Sequence, residues 1–181
     1  GGKNAIIVDA SADIDLAIKV VIGSFSGFGG QKCSACSRVI VHKDIYPEFT
    51  RRLAQAVAAL SVGDPRLPST DIGPLIDEAA KEKVEGYIEQ ARQLVSENKT
   101  SGARFLVEPE DMHVPGYFVR PVVVEGLPVD CAINQEEIFG PVLSIIRADS
   151  FKDAMEIANG TQYALTGGII SRTPSHLEMA R

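Results

Sequence analysis

Hydrophobic positions along the chain fall into two alternating patterns. Ala5-Ile6-Ile7-Val8 is a short unbroken apolar run, as expected of a strand buried on both faces. Ile14, Ala17, Ile18, Val21, Ile22 and Phe25 then repeat at helical spacing along one face. Arg38-Val39-Ile40-Val41-His42 predicts the next strand. Pro47 follows, where a first helical turn accepts proline, ahead of the stripe Phe49, Leu53, Val57, Leu60. Asp64-Pro65 through Ser69 is rich in turn formers. Beyond it, Ile76, Ala80, Val84, Tyr87, Ile88, Ala91 and Val95 predict a long surface helix, and the polar interval from Ser96 to Asp111 reads as a surface loop. Tyr117 to Val124 and Val142 to Ile146 predict further strands. Ser150-Phe151-Lys152-Asp153 has the form of a capping box, with Gly160 placed to stop the helix it opens. Gly168-Ile169-Ile170 is a last short strand, and Thr173-Pro174 opens a final helix.

Strand and helix in alternation predict an α/β fold, a three-layer domain around a largely parallel sheet. No repeat and no domain boundary is visible, so residues 1–181 read as one domain. A chain of this length buries roughly 70% of the surface its unfolded form exposes, enough for a substantial core. Hydrophobic residues at 45% and charged residues at 23% exclude a disordered tail or a low-complexity linker. No apolar run approaches the roughly 18 residues of a membrane-spanning helix. The net charge of −6 argues against a polyanionic partner, nucleic acid included. Three cysteines make no disulfide framework, and the simpler setting is reducing and cytoplasmic. Gly1-Gly2-Lys3-Asn4 runs straight into the first strand without a leader, and Arg181 falls a few residues into the final helix. Both ends read as cuts, and the expectation is a piece of a longer protein.

The densest chemical signal is Gly27-Phe28-Gly29-Gly30-Gln31-Lys32-Cys33-Ser34-Ala35-Cys36-Ser37-Arg38. Gly23, Gly27, Gly29 and Gly30 are expected to end the preceding helix and let backbones approach closely. Cys33 then sits in a turn near free backbone N–H groups and beside Lys32, a setting in which a thiol becomes a nucleophile. A buried cysteine in a packing turn is the plain alternative. Cys33-x-x-Cys36 also has the spacing of a redox dithiol or of half a zinc site. Cys131, His42, His113 and His176 supply no matching pair, so no metal is expected. A second signal is Asn134-Gln135-Glu136-Glu137-Ile138-Phe139-Gly140-Pro141-Val142, where two carboxylates beside a phenylalanine and a Gly-Pro turn form either a ligand-binding corner or a solvated acidic turn. Asn98 and Asn159 match the glycosylation pattern by chance in this setting. No G-x-G-x-x-G and no P-loop is present, so a nucleotide would be held mainly by residues outside the segment.

Gly-Gly-Lys at the start, Gly30-Gln31-x-Cys33 with Arg38, and Glu136 through Val142 occur in the order and approximate separation seen in the aldehyde dehydrogenase superfamily, which the whole chain resembles. The string from Gly30 to Arg38, Asn4 after the lysine, and Tyr163-Ala164-Leu165-Thr166-Gly167-Gly168 are similar to the branch of that family that oxidises glutamate γ-semialdehyde in proline breakdown. The resemblance implies the catalytic, thiol-bearing domain of that fold. It implies Cys33 as the nucleophile, its N–H as an oxyanion donor, and Ser34 toward the substrate carboxylate. Glu137 would hold the nicotinamide ribose hydroxyls, Phe139 would pack near the nicotinamide, and Cys36 would be structural. NAD is the implied cofactor, with NADP left open. The implied partners are an aldehyde substrate, a nucleotide-binding domain of the same parent chain and, at full length, a further copy in a homo-oligomer. The family's base precedes the Gly-Gly-Lys, so the isolated piece is expected to be inactive. An aldehyde dehydrogenase of another substrate class, a cysteine hydrolase using a histidine such as His42, and a non-enzymatic Cys-x-x-Cys module are the alternatives.

Overall fold

The computed structural model describes residues 1–97, 102–112 and 114–181; Asn98 and His113 lie outside them. Six strands form one sheet: β1 (Asn4–Val8), β2 (Cys36–His42), β3 (Arg104–Val107), β4 (Val122–Glu125), β5 (Val142–Ala148) and β6 (Gly167–Ile170), in the order β3-β4-β5-β2-β1-β6. Every pairing is parallel except β3 with β4. The expected α/β architecture is therefore observed. β1, β2 and β5 are almost wholly buried because helices cover both of their faces.

Side-chain alternation decides which helix lies where. Val8, Val39, Val41, Leu143 and Ile145 face α1 (Ile14–Phe25) and α2 (Tyr46–Ala58), which contribute Ala17, Val21, Phe25, Phe49, Leu53 and Val57. Val142 and Ile146 lie on the opposite face of β5. There Val142 packs with Val84, Ile88 and Ala91 of α3 (Glu78–Glu97), and Ile146 with Phe151 and Ala154 of α5 (Phe151–Asn159). Each fully buried Val, Leu or Phe contributes about 1.5–3 kcal/mol. Two short helices, α4 (Ala132–Gln135) and α6 (Pro174–Met179), complete the chain.

Local signals set several boundaries. Asp13 caps α1 by accepting from Leu16 N at 3.1 Å, and Ser150 caps α5 by accepting from Asp153 N at 3.1 Å. The Asp153 carboxylate reaches back to Asp149 N at 2.8 Å, one residue beyond the partner a capping box would use.

Four expectations need correction. β4 starts at Val122 and not at Tyr117, because Pro121 has no N–H for the ladder, and Tyr117 O instead accepts from Leu75 N at 2.8 Å. The polar interval from 96 to 111 contains β3, four residues too short to show a period, paired antiparallel to β4. Ile76 stands before α3 and is 80% exposed. Gly23 lies inside α1 with open space around it, and the helix runs on to Phe25.

Candidate active site

α1 delivers the chain to the thiol. After Phe25 the backbone enters a 3₁₀ turn, Gly27–Gly30, in which Phe28, Gly29 and Gly30 take the left-handed φ values 59°, 65° and 73°. Glycine is required at Gly30 twice over. Its φ is positive, and a Cβ there would lie 2.5 Å from Gly140 O and 2.9 Å from Phe25 O. Phe28 holds the same conformation without glycine's freedom, a strain of about 1–3 kcal/mol that the surrounding bonds must offset. Gln31 supplies two of them: its Oε1 accepts from Ile76 N at 2.9 Å and its Nε2 donates to Phe28 O at 3.1 Å.

Cys33 and Ser34 occupy the two central positions of the next turn, closed by Ala35 N donating to Lys32 O at 3.0 Å. Both are exposed. Among the described residues, neither their N–H groups nor the Ser34 hydroxyl makes a hydrogen bond. The Lys32 ammonium lies back over Gly27, 3.2 Å from where a Cβ would stand. Beyond the turn, Cys36 N donates to Ser24 Oγ on α1 at 3.1 Å.

The three thiols differ in environment. Cys36 is buried at the start of β2, its Sγ donates to Arg38 O at 3.2 Å, and burial pushes it up to about 12. Cys131 is half-buried and likewise raised by burial. Cys33 alone is exposed. Cys33 and Cys36 are thus split between surface and core, and the Cys36 thiol is engaged by the Arg38 carbonyl. His42 lies at the other end of β2, about 20 Å from Cys36 at 3.3 Å per residue, and its Nδ1 accepts from Asp44 N at 3.3 Å. A cysteine hydrolase built on His42 is excluded by that separation.

The remaining motifs converge on the same turn. A Cβ on Gly2 would stand 2.5 Å from Cys33 O, so only glycine lets the start of β1 come this close. Gly2 N donates to Glu137 Oε1 at 2.8 Å, and Glu137 Oε2 occupies the space a Cβ on Gly1 would need. Gly30 and Gly140 meet as described. The two neighbouring carboxylates diverge: Glu136 accepts from Tyr87 OH on α3 at 2.6 Å, whereas Glu137 turns toward the thiol turn and its carbonyl accepts from Lys83 Nζ at 3.0 Å. Phe139, with φ 64°, presents a ring that is 41% exposed. Cys33, Ser34, Glu137 and Phe139 are therefore gathered at one edge of the domain.

Two buried cations lie beneath this edge, both within the motifs that carry the resemblance but with no role assigned from them. Arg38 donates to Lys3 O at 2.8 and 3.2 Å, to Ile157 O at 3.0 Å and to Ala158 O at 2.9 Å, tying β1, β2 and α5 together through carbonyls. Lys3 is 2% exposed, and its ammonium has no hydrogen-bond partner among the described residues. Burial, helped by the Arg38 charge, pulls it down to about 7. Their burial was not legible in those motifs, where each is only a charged residue at the edge of an apolar run. A cavity of about 610 Å³, lined by Lys3, Asn4, Arg38, Met155, Tyr163 and Thr166 among others, opens between β6 and α5. Cys33, exposed in its turn, is not among its walls.

Comparison with known proteins identifies the family. Residues 1–181 match the aldehyde dehydrogenase family. The 1-pyrroline-5-carboxylate dehydrogenase of Geobacillus thermodenitrificans is 43% identical over all 181 residues, which cover 34% of that protein. Among solved structures, 1-pyrroline-5-carboxylate dehydrogenase from Thermus with bound NAD superposes with a TM-score of 0.91 at 43% identity, matching the full chain and 33% of its own length. Proline utilization A from Bdellovibrio bacteriovorus, inactivated by N-propargylglycine, gives 0.91 at 38% identity over 99% of this chain and 18% of that one. The chain spans about a third of the length of the curated relatives it matches. With its motifs, their convergence and its fold in agreement, the chain belongs to the aldehyde dehydrogenase family.

Proposed function

We propose that residues 1–181 form the thiol-bearing catalytic domain of an NAD-dependent enzyme that oxidises L-glutamate γ-semialdehyde, the open form of 1-pyrroline-5-carboxylate, to L-glutamate in the cytoplasm. The observation that carries this reading is the junction at Gly2, which meets Cys33 on one side and Glu137 on the other. The substrate follows the relatives at 41–43% identity, all 1-pyrroline-5-carboxylate dehydrogenases.

The residues at this edge suit a nicotinamide riboside. Glu137 has committed Oε1 to Gly2 and keeps Oε2 free of hydrogen bonds among the described residues, an acceptor open to a ribose hydroxyl. Phe139 offers an exposed ring face. When bound, the nicotinamide supplies the hydride acceptor. Cys33 Sγ, as thiolate, adds to the aldehyde carbon, and a C–S bond forms as the carbonyl π pair moves to oxygen. The unspent N–H of Cys33 receives that negative charge. Ser34, beside it, donates to the substrate's distal carboxylate. Loss of hydride leaves a thioester on Cys33, which water cleaves to release glutamate and restore the thiol. The nucleotide-phosphate site and the base for that water come from other parts of the parent chain, which we also propose forms a homo-oligomer.

The test is NADH formation from glutamate γ-semialdehyde by the intact enzyme. Cys33→Ala should abolish turnover. Glu137→Gln should retain the fold and lower kcat, since a charged acceptor is about twice as strong as a neutral one. Turnover that survives Cys33→Ala overturns the mechanism, and a preference for aldehydes without a distal carboxylate overturns the substrate.

A further inference from the structure

Asn4 joins three segments through one carboxamide. Its Nδ2 donates to Cys33 O at 2.7 Å and to Ala35 O at 2.9 Å, and its Oδ1 accepts from Thr166 N at 3.3 Å. Two carbonyls on one side and an N–H on the other fix which end of the amide is which. The side chain is 5% exposed.

What this does to the turn follows from peptide planarity, which sets the C=O and N–H of each unit pointing opposite ways. Of the four units from Lys32 to Cys36, three are pinned through their carbonyls. The Lys32–Cys33 unit has its C=O on Ala35 N, so the Cys33 N–H points the other way. The Cys33–Ser34 unit has its C=O on Asn4, so the Ser34 N–H is turned away from the core. The Ala35–Cys36 unit is held at both ends, its C=O by Asn4 and its N–H by Ser24 Oγ. Two N–H groups are left over, those of Cys33 and Ser34, on the exposed side of the turn.

We propose that Asn4 is a positioning residue for the nucleophile: by holding the Cys33 carbonyl, it turns the Ser34 N–H outward beside the Cys33 N–H, so that both meet the oxygen that becomes negative when the Cys33 sulfur adds to a carbonyl, and by holding the Ala35 carbonyl it anchors the end of the turn. This rests on the proposed role of Cys33 and deepens it, adding the Ser34 N–H as a second main-chain donor and Asn4 as the group that orients it. Asn4→Asp keeps the shape and volume, removes both donors and sets carboxylate oxygens against carbonyl oxygens. The turn then reorients without unfolding the sheet.

Two reactions of the intact enzyme separate aim from integrity. In hydrolysis of p-nitrophenyl acetate, the Cys33 thiolate attacks the ester carbon, an oxyanion forms, and p-nitrophenolate leaves. Water then cleaves the acetyl thioester to acetate and free thiol. Alkylation by iodoacetamide displaces iodide at a saturated carbon and creates no oxyanion. Asn4→Asp should slow ester hydrolysis about 10–100-fold, given the roughly 10²–10³-fold cost of deleting one oxyanion donor outright. Alkylation of Cys33, followed by mass mapping, should change less than about threefold, because iodide displacement needs no such donor. Asn4→Ser, which retains one short donor, should fall between wild type and Asn4→Asp, and it carries the test if Asn4→Asp does not fold. Equal losses in both reactions, or ester hydrolysis unchanged in both variants, overturn the proposal while leaving Cys33 as nucleophile. Ester hydrolysis by the unmodified enzyme that is insensitive to Cys33→Ala overturns both.

Discussion

The two ends of the central strands handle polar groups in opposite ways. At the amino ends of β1 and β2, the thiol turn is tied down by side-chain amides and a serine, while its reactive groups are left unspent: an exposed Cys33, two N–H groups and one oxygen of Glu137. At the carboxyl ends of β1 and β6, Asp9 is 1% exposed and its Oδ2 accepts from Ser171 Oγ at 2.5 Å and Ser11 Oγ at 3.0 Å. His176 Nδ1 lies 2.9 Å from the same oxygen, and its ring stacks on Phe151 with centroids 4.2 Å apart. The second cluster has the residue types of a catalytic centre, serine, histidine and aspartate, but its hydroxyls and imidazole are spent on one carboxylate oxygen. Its work is to hold α6, which buries none of its own side chains, against the sheet. Residue type alone does not mark a reactive site; donors and nucleophiles left without partners do.

The sharpest way to break this comparison is to ask which thiol reacts. With its thiol pushed up to about 12, Cys36 is about one part in 10⁴ thiolate at pH 8, and it is buried besides. In the intact enzyme Cys33, exposed in its turn, should label with iodoacetamide on the order of 100-fold or more faster than Cys36, whose thiol is buried and held protonated. Mass mapping reads this directly, and preferential labelling of Cys36 would remove the thiol turn from the chemistry. Next in size is Gly2→Ala. A Cβ 2.5 Å from Cys33 O must push β1 and the turn apart, and kcat should fall about 10–100-fold, since displacements near 1 Å in a catalytic constellation cost about that much. Retention of full kcat would show that the close approach at Gly2 does not position the thiol.

Smallest is the effect of the Asp9 cluster on chemistry. Asp9→Ala should cost about 1–3 kcal/mol, because it removes a charged acceptor shared by three half-buried donors. It should lower Tm by several degrees while changing the Cys33 labelling rate less than about twofold, because it leaves the thiolate's surroundings intact. Burial would raise the Asp9 carboxyl, but the hydrogen bonds from Ser171, His176 and Ser11 outweigh it and leave it below the usual range. A folded-state value below the unfolded one means the contribution is present above about pH 4 and is lost as pH falls below that. Wild type should therefore lose more stability than Asp9→Ala between pH 5 and 3. A loss of Cys33 reactivity in Asp9→Ala would mean that the two ends of the sheet are coupled.

Much of the layered fold could be read from the chain alone. Short, β-branched Val and Ile runs bounded by turn formers fit strands covered on both faces, and the stripe from Ile14 to Phe25 fits a helix packed on one. Those inferences need no knowledge of distant contacts, because burial imposes its period locally. Gly30-Gln31-x-Cys33 and Glu137-x-Phe139-Gly140 were legible as candidates for the same reason. Their glycines mark places where a side chain would collide with something, although with what was not stated. Only the tertiary structure decided the rest. It put Gly30 against Gly140 and Gly2 between Cys33 and Glu137, contacts across as many as 135 residues of sequence. It sent Cys33 to the surface and Cys36 into the core from positions three apart, and it set His42 at the far end of its strand. It also gave Asn4 two carbonyls and an N–H to hold, a role invisible in the sequence, because a hydrogen bond is set by where its partner lies in space and not by how far along the chain it comes.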